Sequence, residues 1–371
     1  MIIGIDASRA NEEKKTGVGW YAYHVIQEMK KITPDNIRVV LYTNKSLQGE
    51  LADLPENWEE KVLGWKLGRL WTQVRLSWEM LLHAPDVLFI PAHVFPIIHP
   101  KKTVMTLHDI AAVRFPQAYN WFEKWYTLWS GRVALKKLWK VIAISNFTKS
   151  ELNSEFGNKN LDKVRVIYLG FNKEYCKIKD DVNTKSVLNK YRIEKPFLFS
   201  IGRLETKKNT VNIVKAFEEL RVKGKELSLV LVGGKGYGYE EIRKVIDDSL
   251  FKNDIITPGW VENNDLPYLM SSAEGFVFPS LYEGFGIPIL EAMACGIPVI
   301  TSKGSSLQEV GGGACIYIDP QDINEISEAI IELTQDQELR DSKISKGLER
   351  VGEFSWEKCA KETLDVLLDK N

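Results

Sequence analysis

Cysteine is sparse in this 371-residue chain: Cys176, Cys295, Cys315 and Cys359 are its only four, and no two form a C-x-x-C pair. Scattered singles argue for a reducing compartment and against a disulfide frame or a thiolate zinc site. An excess of charge is missing too, since 49 basic and 50 acidic residues leave a formal net charge of −1. That balance speaks against a nucleic-acid binder relying on a broad basic field. No apolar run approaches the roughly 20 residues that span a bilayer. The opening Met-Ile-Ile-Gly-Ile is too short and too uncharged in front for a secretory signal, so a cytoplasmic protein is expected. Only five histidines occur, which gives weight to one placed at the end of a strand.

What is present is a length that suggests two domains, with 44% hydrophobic and 27% charged residues. Short apolar runs alternate with helical patterns, the mark of a doubly wound α/β chain. In the first half the strand candidates are Ile2–Ile5, Val39–Tyr42, Val87–Ile90, Thr103–Leu107, Val141–Ser145 and Val164–Leu169. Polar, charged sequence from Asn172 to Pro196 interrupts the pattern and reads as linker plus a short helix. In the second half Pro196–Gly202, Leu227–Val232, Ile255–Gly259, Gly275–Pro279, Val299–Ile300 and Ile316–Ile318 resume it. The expected division is residues 1–175 and 196–355 as two Rossmann-like domains, with 176–195 as linker.

Three places carry candidate chemistry. Pro279–Ser302 reads as strand end, glycine loop, helix and strand, with Glu283 in the loop and Glu291 about one turn into the helix. Gly284-Phe285-Gly286 lets backbone approach a ligand closely, and Pro288 suits a first helical turn. Paired carboxylates there can accept hydrogen bonds from vicinal hydroxyls; the ordinary alternative is a capping Glu and a surface Glu. Second, Arg203 and Lys208 flank a loop between a strand end and a helix opened by Asn209-Thr210, a setting suited to a diphosphate. Third, Gly17, Gly19 and Ala22 fit a G-x-G-x-x-G/A spacing after the first strand. Their loop is longer than a tight dinucleotide turn, and no acidic residue ends the second strand, so a helix N-terminus facing a phosphate is the better reading. His108-Asp109 closes the Thr103–Leu107 strand. The Gly233–Gly238 cluster lacks Walker spacing.

Two stretches are rich in tryptophan and basic residues. Trp121, Trp125 and Trp129 recur at helical spacing among Lys124, Arg132, Lys136, Lys137 and Lys140; Trp65–Leu82 carries Trp71 and Trp78 with Lys66, Arg69 and Arg75. Two core helices with solvated basic faces is one reading, and a surface docking on anionic lipid is the other.

Together the paired glutamates, the Gly-Arg-Leu-Glu-Thr-Lys-Lys-Asn loop, Thr-Gly-Val-Gly-Trp-Tyr and Leu-His-Asp-Ile resemble the family 4 retaining glycosyltransferases, over essentially the whole chain. The N-terminal segments are most similar to mannosyltransferases of O-antigen and related surface polysaccharides. The resemblance implies the GT-B fold, two Rossmann-like domains facing across a cleft, with the final helix (356–371) packing back on the first domain. It implies an acceptor domain followed by a nucleotide-sugar donor domain. The catalytic set implied is His108, Arg203, Lys208 and Glu283. Gly17, Gly19, Val261, Phe285, Gly286 and Glu291 are the implied donor contacts, with the backbone at Trp260-Val261 holding the base.

No D-x-D triplet occurs, so no metal is expected and fixed cations would stabilise the leaving diphosphate. The implied reaction moves a hexose, mannose from GDP-mannose first and a UDP-sugar second, to a glycan or lipid-linked acceptor with retention. The residues leave open a nicotinamide-dependent oxidoreductase using Gly17–Ala22 and a non-catalytic membrane-surface module.

Overall fold

The computed structural model describes residues 1–65, 70–157, 160–194 and 196–370; Lys66 and Arg69, expected on a basic helix, lie outside this set, as do positions 195 and 371. The chain divides into two compact units, Met1–Gly170 with the segment from Phe354 onward, and Phe171–Glu353.

The first unit is built on seven parallel strands: β1 Ile2–Asp6, β2 Arg38–Thr43, β3 Trp58–Val62, β4 Val87–Ile90, β5 Thr103–Leu107, β6 Lys140–Ala143 and β7 Val164–Val166. Their order is β3-β2-β1-β4-β5-β6-β7, so the winding direction reverses between β1 and β4. Apolar runs form the buried strands; Val87–Ile90 and Thr103–Leu107 are buried at every residue, as a two-faced parallel sheet requires. Edge strand β3 escapes an apolar-run reading because Glu59, Glu60 and Lys61 interrupt it, the charged character that blunts sheet edges.

The C-terminal helix Trp356–Leu367, capped by the Ser355 hydroxyl on Lys358 N, packs on the helix Gly17–Ile32. Gly170 lets the chain pass there: a Cβ would fall 2.2 Å from Trp356 N. His24 stacks between Trp20 and Trp356, with ring centroids at 5.7 and 4.9 Å.

The second unit has six parallel strands, β8 Phe197–Ile201, β9 Ser228–Val232, β10 Ile255–Gly259, β11 Gly275–Phe278, β12 Val299–Ser302 and β13 Cys315–Ile318, in the order β10-β9-β8-β11-β12-β13. Here the reversal lies between β8 and β11. The stretch read as linker carries a ten-residue helix, Asp181–Lys190, capped by Asp180 on Val182 N and Asn183 N. It is tied to this unit: Lys190 and Tyr191 both reach Asp265, each at 2.7 Å, and Ile178 N donates to Ser271 Oγ at 3.1 Å. A helix at Tyr239–Asp248, not among the expected elements, follows the Gly233–Gly238 cluster. Among the described residues no helix is long and apolar enough to cross a membrane.

Candidate functional site

In parallel sheets ligands collect at the carboxyl ends of the strands, beside the point where the strand order reverses. Both units place candidate residues there.

In the second unit the loops leaving β8 and β9 are zipped together. Leu204 N donates to Gly234 O at 2.9 Å and Gly236 N to Leu204 O at 3.0 Å. Gly202 and Gly233 have φ of 145° and 142°, and a Cβ on Gly233 would fall 1.9 Å from Gly202 O, so only glycine permits this approach. The zipped loops leave Arg203 exposed at the end of β8. The 3₁₀ turn Thr206–Lys208 then leads into the helix Thr210–Val222. Asn209 does not cap that helix as expected. It takes a left-handed φ of 58°, and its Nδ2 donates to Pro320 O at 2.5 Å, which pins the turn to the β13 side of the unit. Arg203, Lys208, Gly202 and Thr210 line one shallow hollow.

Lys208 bridges to the β11 loop. Its ammonium donates to Glu283 Oε1 at 2.5 Å and lies 4.7 Å from the centre of the Phe278 ring. Ser280 Oγ donates to the same oxygen at 2.5 Å. Burial alone would push the Glu283 carboxyl up, but Lys208, Lys207 and Ser280 outweigh it and hold it below the usual carboxylate range. The loop backbone is fixed from behind: Ser306 Oγ donates to Glu283 O and Phe285 O, and Ser302 Oγ to Ser280 O.

Gly286, with φ of 105°, opens the helix Ile287–Ala294, which carries Pro288 in its first turn as expected. The Phe285 side chain is buried, so backbone is what this loop can offer a ligand. Val261 is buried likewise, whereas Trp260 is 79% exposed.

Glu291 sits differently. Its carboxylate accepts no hydrogen bond from the described residues; it neighbours Tyr175 and Cys295, and burial lifts its pKa to about 8. The structure therefore joins Lys208 to Glu283 and sets Glu291 apart in less polar surroundings. Sequence reasoning missed Ser280, whose only signal is its place three residues before Glu283. It also missed Tyr175, which the expected boundary left at the end of the other domain.

In the first unit Gly17 and Gly19 are the first and third residues of their helix, not the loop before it. Gly19 answers a local need, since a Cβ would lie 2.9 Å from Arg9 O. His108 follows β5 and is buried, its Nε2 3.1 Å from Pro91 O and its ring edge-on to Tyr21 at 4.8 Å. Burial lowers its pKa to about 4, so the ring is neutral and Nε2 carries the proton donated to Pro91 O. Nδ1 remains as an acceptor. Asp109 spends Oδ1 on Ala111 N at 2.9 Å, closing a local turn at the start of the short helix Ala111–Arg114. His93, three residues past β4, was not singled out in the sequence. Its ring centroid lies 6.3 Å from that of His108, and its Nδ1 is buried without a partner among the described residues.

The expected tryptophan helices prove to be mixed. Trp71 is core, donating Nε1–H to Leu63 O at 2.8 Å, and Trp129 packs on Phe95. Trp121, Trp125 and Trp78 are 80%, 52% and 57% exposed. Among the described residues no group of three His, Cys, Asp or Glu side chains is arranged to hold a metal ion.

Residues 184–350 match the family described as glycosyl transferases group 1, and residues 15–175 match glycosyltransferase family 4. An O-antigen chain mannosyltransferase B of Escherichia coli is 32% identical over 268 residues, 72% of this chain and 70% of that protein. Two solved structures share the fold at 18% identity. A sucrose-phosphate synthase from Thermosynechococcus elongatus has a TM-score of 0.77 and covers 100% of this chain and 99% of its own. HepE from Anabaena, in complex with UDP-glucose, has a TM-score of 0.76 and covers 99% of each. With two parallel-sheet units in the GT-B fold and both halves matched in order, the chain belongs to the glycosyltransferases of family 4.

Proposed function

We propose that the chain transfers a hexose from a nucleotide sugar to a glycan or lipid-linked acceptor hydroxyl with retention at the anomeric carbon, in surface polysaccharide synthesis. One observation carries the donor side: Arg203 and Lys208 line a single hollow, and Lys208 is locked to Glu283 across the reversal point of the second sheet. Two fixed cations beside a helix N-terminus suit a diphosphate, and they can stabilise it as it leaves without a divalent ion. The bond from the anomeric carbon to the diphosphate oxygen breaks, a bond to the acceptor oxygen forms on the same face, and the leaving phosphate takes the acceptor proton. Glu283, kept ionised, positions sugar hydroxyls and is not a nucleophile. Backbone at Phe285, Gly286 and Val261, together with Glu291, holds the nucleoside. GDP-mannose is the first choice of donor because the E. coli relative is a mannosyltransferase; a UDP-sugar, as bound by HepE, is the second.

Arg203→Ala is expected to slow donor turnover by about a hundredfold with little change in melting temperature, because the residue is exposed and its worth lies in transition-state charge. Steady-state assays with a panel of nucleotide sugars check this; a wild-type rate in the variant removes the electrostatic basis of the reading.

The reading includes a cytoplasmic protein resting on an anionic membrane. Exposed Val74, Trp78, Leu81 and Leu82, Ile97 and Ile98, and Trp121 and Trp125 come from three neighbouring segments. Ile98 N on Ser77 Oγ, Gln73 on Tyr126 OH, and the Phe95–Trp129–Trp125 stack hold those segments together. Helix Trp121–Lys137 adds four basic residues against one acidic, a net charge of +3 that complements anionic lipid. Flotation with phosphatidylglycerol vesicles is expected to carry the wild type upward and to leave Trp121→Asp/Trp125→Asp at the bottom. Equal flotation of both would count against this surface.

A further inference from the structure

The carboxyl edge of the first sheet holds a second cluster that the donor chemistry does not use. β1, β4 and β5 are adjacent and parallel, and the strand order reverses between the first two. Their ends deliver Asp6 with Arg9, His93, and His108 with Asp109. Asp6 is engaged locally, its Oδ1 accepting from Ser8 N at 3.0 Å and Ser8 Oγ at 2.6 Å and its carboxylate also bonding Thr72. Asp109 has Oδ1 on Ala111 N, which leaves Oδ2. His108 has spent its N–H on Pro91 O and presents a lone pair.

His93 is the unexplained member. Its ring is partly exposed, yet Nδ1 is buried with no partner among the described residues. A buried orphan is tolerated more readily as a bare acceptor than as an N–H, so the ring proton belongs on Nε2. Burial and the Arg9 charge hold the ring neutral against the pull of Asp109. The edge thus offers a neutral N–H from His93, a lone pair from His108 and a carboxylate oxygen from Asp109. A vicinal pair of sugar hydroxyls, each both donor and acceptor, complements that set, whereas an anion would meet Asp109.

We propose that His93, with Asp109 and His108 beside it, forms a hydroxyl-binding site for the pyranoside acceptor at the carboxyl edge of the first sheet, with His93 as a specificity-determining hydrogen-bond donor. The assignment of that sugar as acceptor rests on the glycosyl-transfer reading above; the binding site itself does not.

The test is saturation-transfer NMR on the full chain with methyl α-mannopyranoside as probe. The wild type is expected to give signal on the ring protons, and His93→Ala to lose it by about fivefold, the worth of one hydrogen bond. His93→Gln, whose amide N–H reaches where Nε2–H did, is expected to recover most of it. Undiminished signal in His93→Ala overturns the proposal, as does equal loss in the alanine and glutamine variants, which would assign the ring a packing role. A GDP- or UDP-induced rise in melting temperature, read on the same samples, keeps the two ideas apart. If neither nucleotide stabilises the wild type, the donor reading fails while the glycoside signal still decides the site.

Discussion

Lys208→Met is expected to be the most damaging single change in the second unit. It removes the cation from a carboxylate that is only 12% exposed and leaves a buried charge with Ser280 as its remaining side-chain hydrogen bond. Breaking such a pair costs about 3–5 kcal/mol, and the partial exposure of both groups favours the lower figure. Of the groups that opposed burial only Lys207 and Ser280 remain, so the Glu283 carboxyl rises relative to wild type. The two proteins should therefore differ in their response to acid. In the wild type the folded carboxyl titrates below the unfolded one, so its stabilisation is present above about pH 4.3 and is lost as pH falls through the folded value. In Lys208→Met that acid-linked contribution should shrink. Adding Glu283→Gln should recover most of the lost stability without restoring turnover, because the pair would no longer be charged. Urea denaturation of the four members of the cycle, each assayed with a nucleotide sugar, separates the two effects. Simple additivity of the two substitutions would mean that the groups are not coupled in solution.

The second large effect concerns Glu291. Its pKa near 8 means that the folded protein holds a proton there which the unfolded chain releases near pH 4.3. Between those limits stability should fall as pH rises, by roughly 1.4 kcal/mol per pH unit attributable to this group, and the trend should level off above 8. Glu291→Gln copies the protonated carboxyl in shape and hydrogen bonding. The variant should lose the slope and be more stable than wild type by several kcal/mol at pH 8, an order-of-magnitude figure from the same linkage. Nucleoside diphosphate affinity should survive in Glu291→Gln and drop about tenfold in Glu291→Ala, where a ribose hydroxyl loses its partner. Urea midpoints at pH 5.5, 7 and 8.5 and a nucleotide titration check both statements. An unchanged pH slope in Glu291→Gln would place the titrating group elsewhere.

Why so much of this was legible in the sequence follows from parallel-sheet chemistry. Strands buried on both faces must be apolar, so Val87–Ile90 and Thr103–Leu107 could be placed to the residue. Glycines held at positive φ mark the loops at the strand ends, as Gly202 and Gly286 do. Legibility fails where the reason for a residue is tertiary. Edge strand β3 is charged because one side meets solvent, and Asn209 looks like a cap but answers to Pro320, 111 residues away. Exposure is invisible to spacing: Trp71 and Trp78 sit on one stretch of chain, one in the core and one in water. His93 had no local motif to announce it; its significance comes from the ring it lies near and the nitrogen left unpaired among the described residues.

The helix Trp356–Leu367 also bears on the order in which this protein can assemble. A growing polypeptide emerges from its N-terminus, and residues 171–353 form a continuous unit that can close as soon as they are made. The first unit cannot, because the surface of Gly17–Ile32 and the ring of His24 await a tryptophan synthesised more than 300 positions later. Nascent chains thus carry an apolar stripe uncovered through most of translation, and the half that begins first is the half that finishes last.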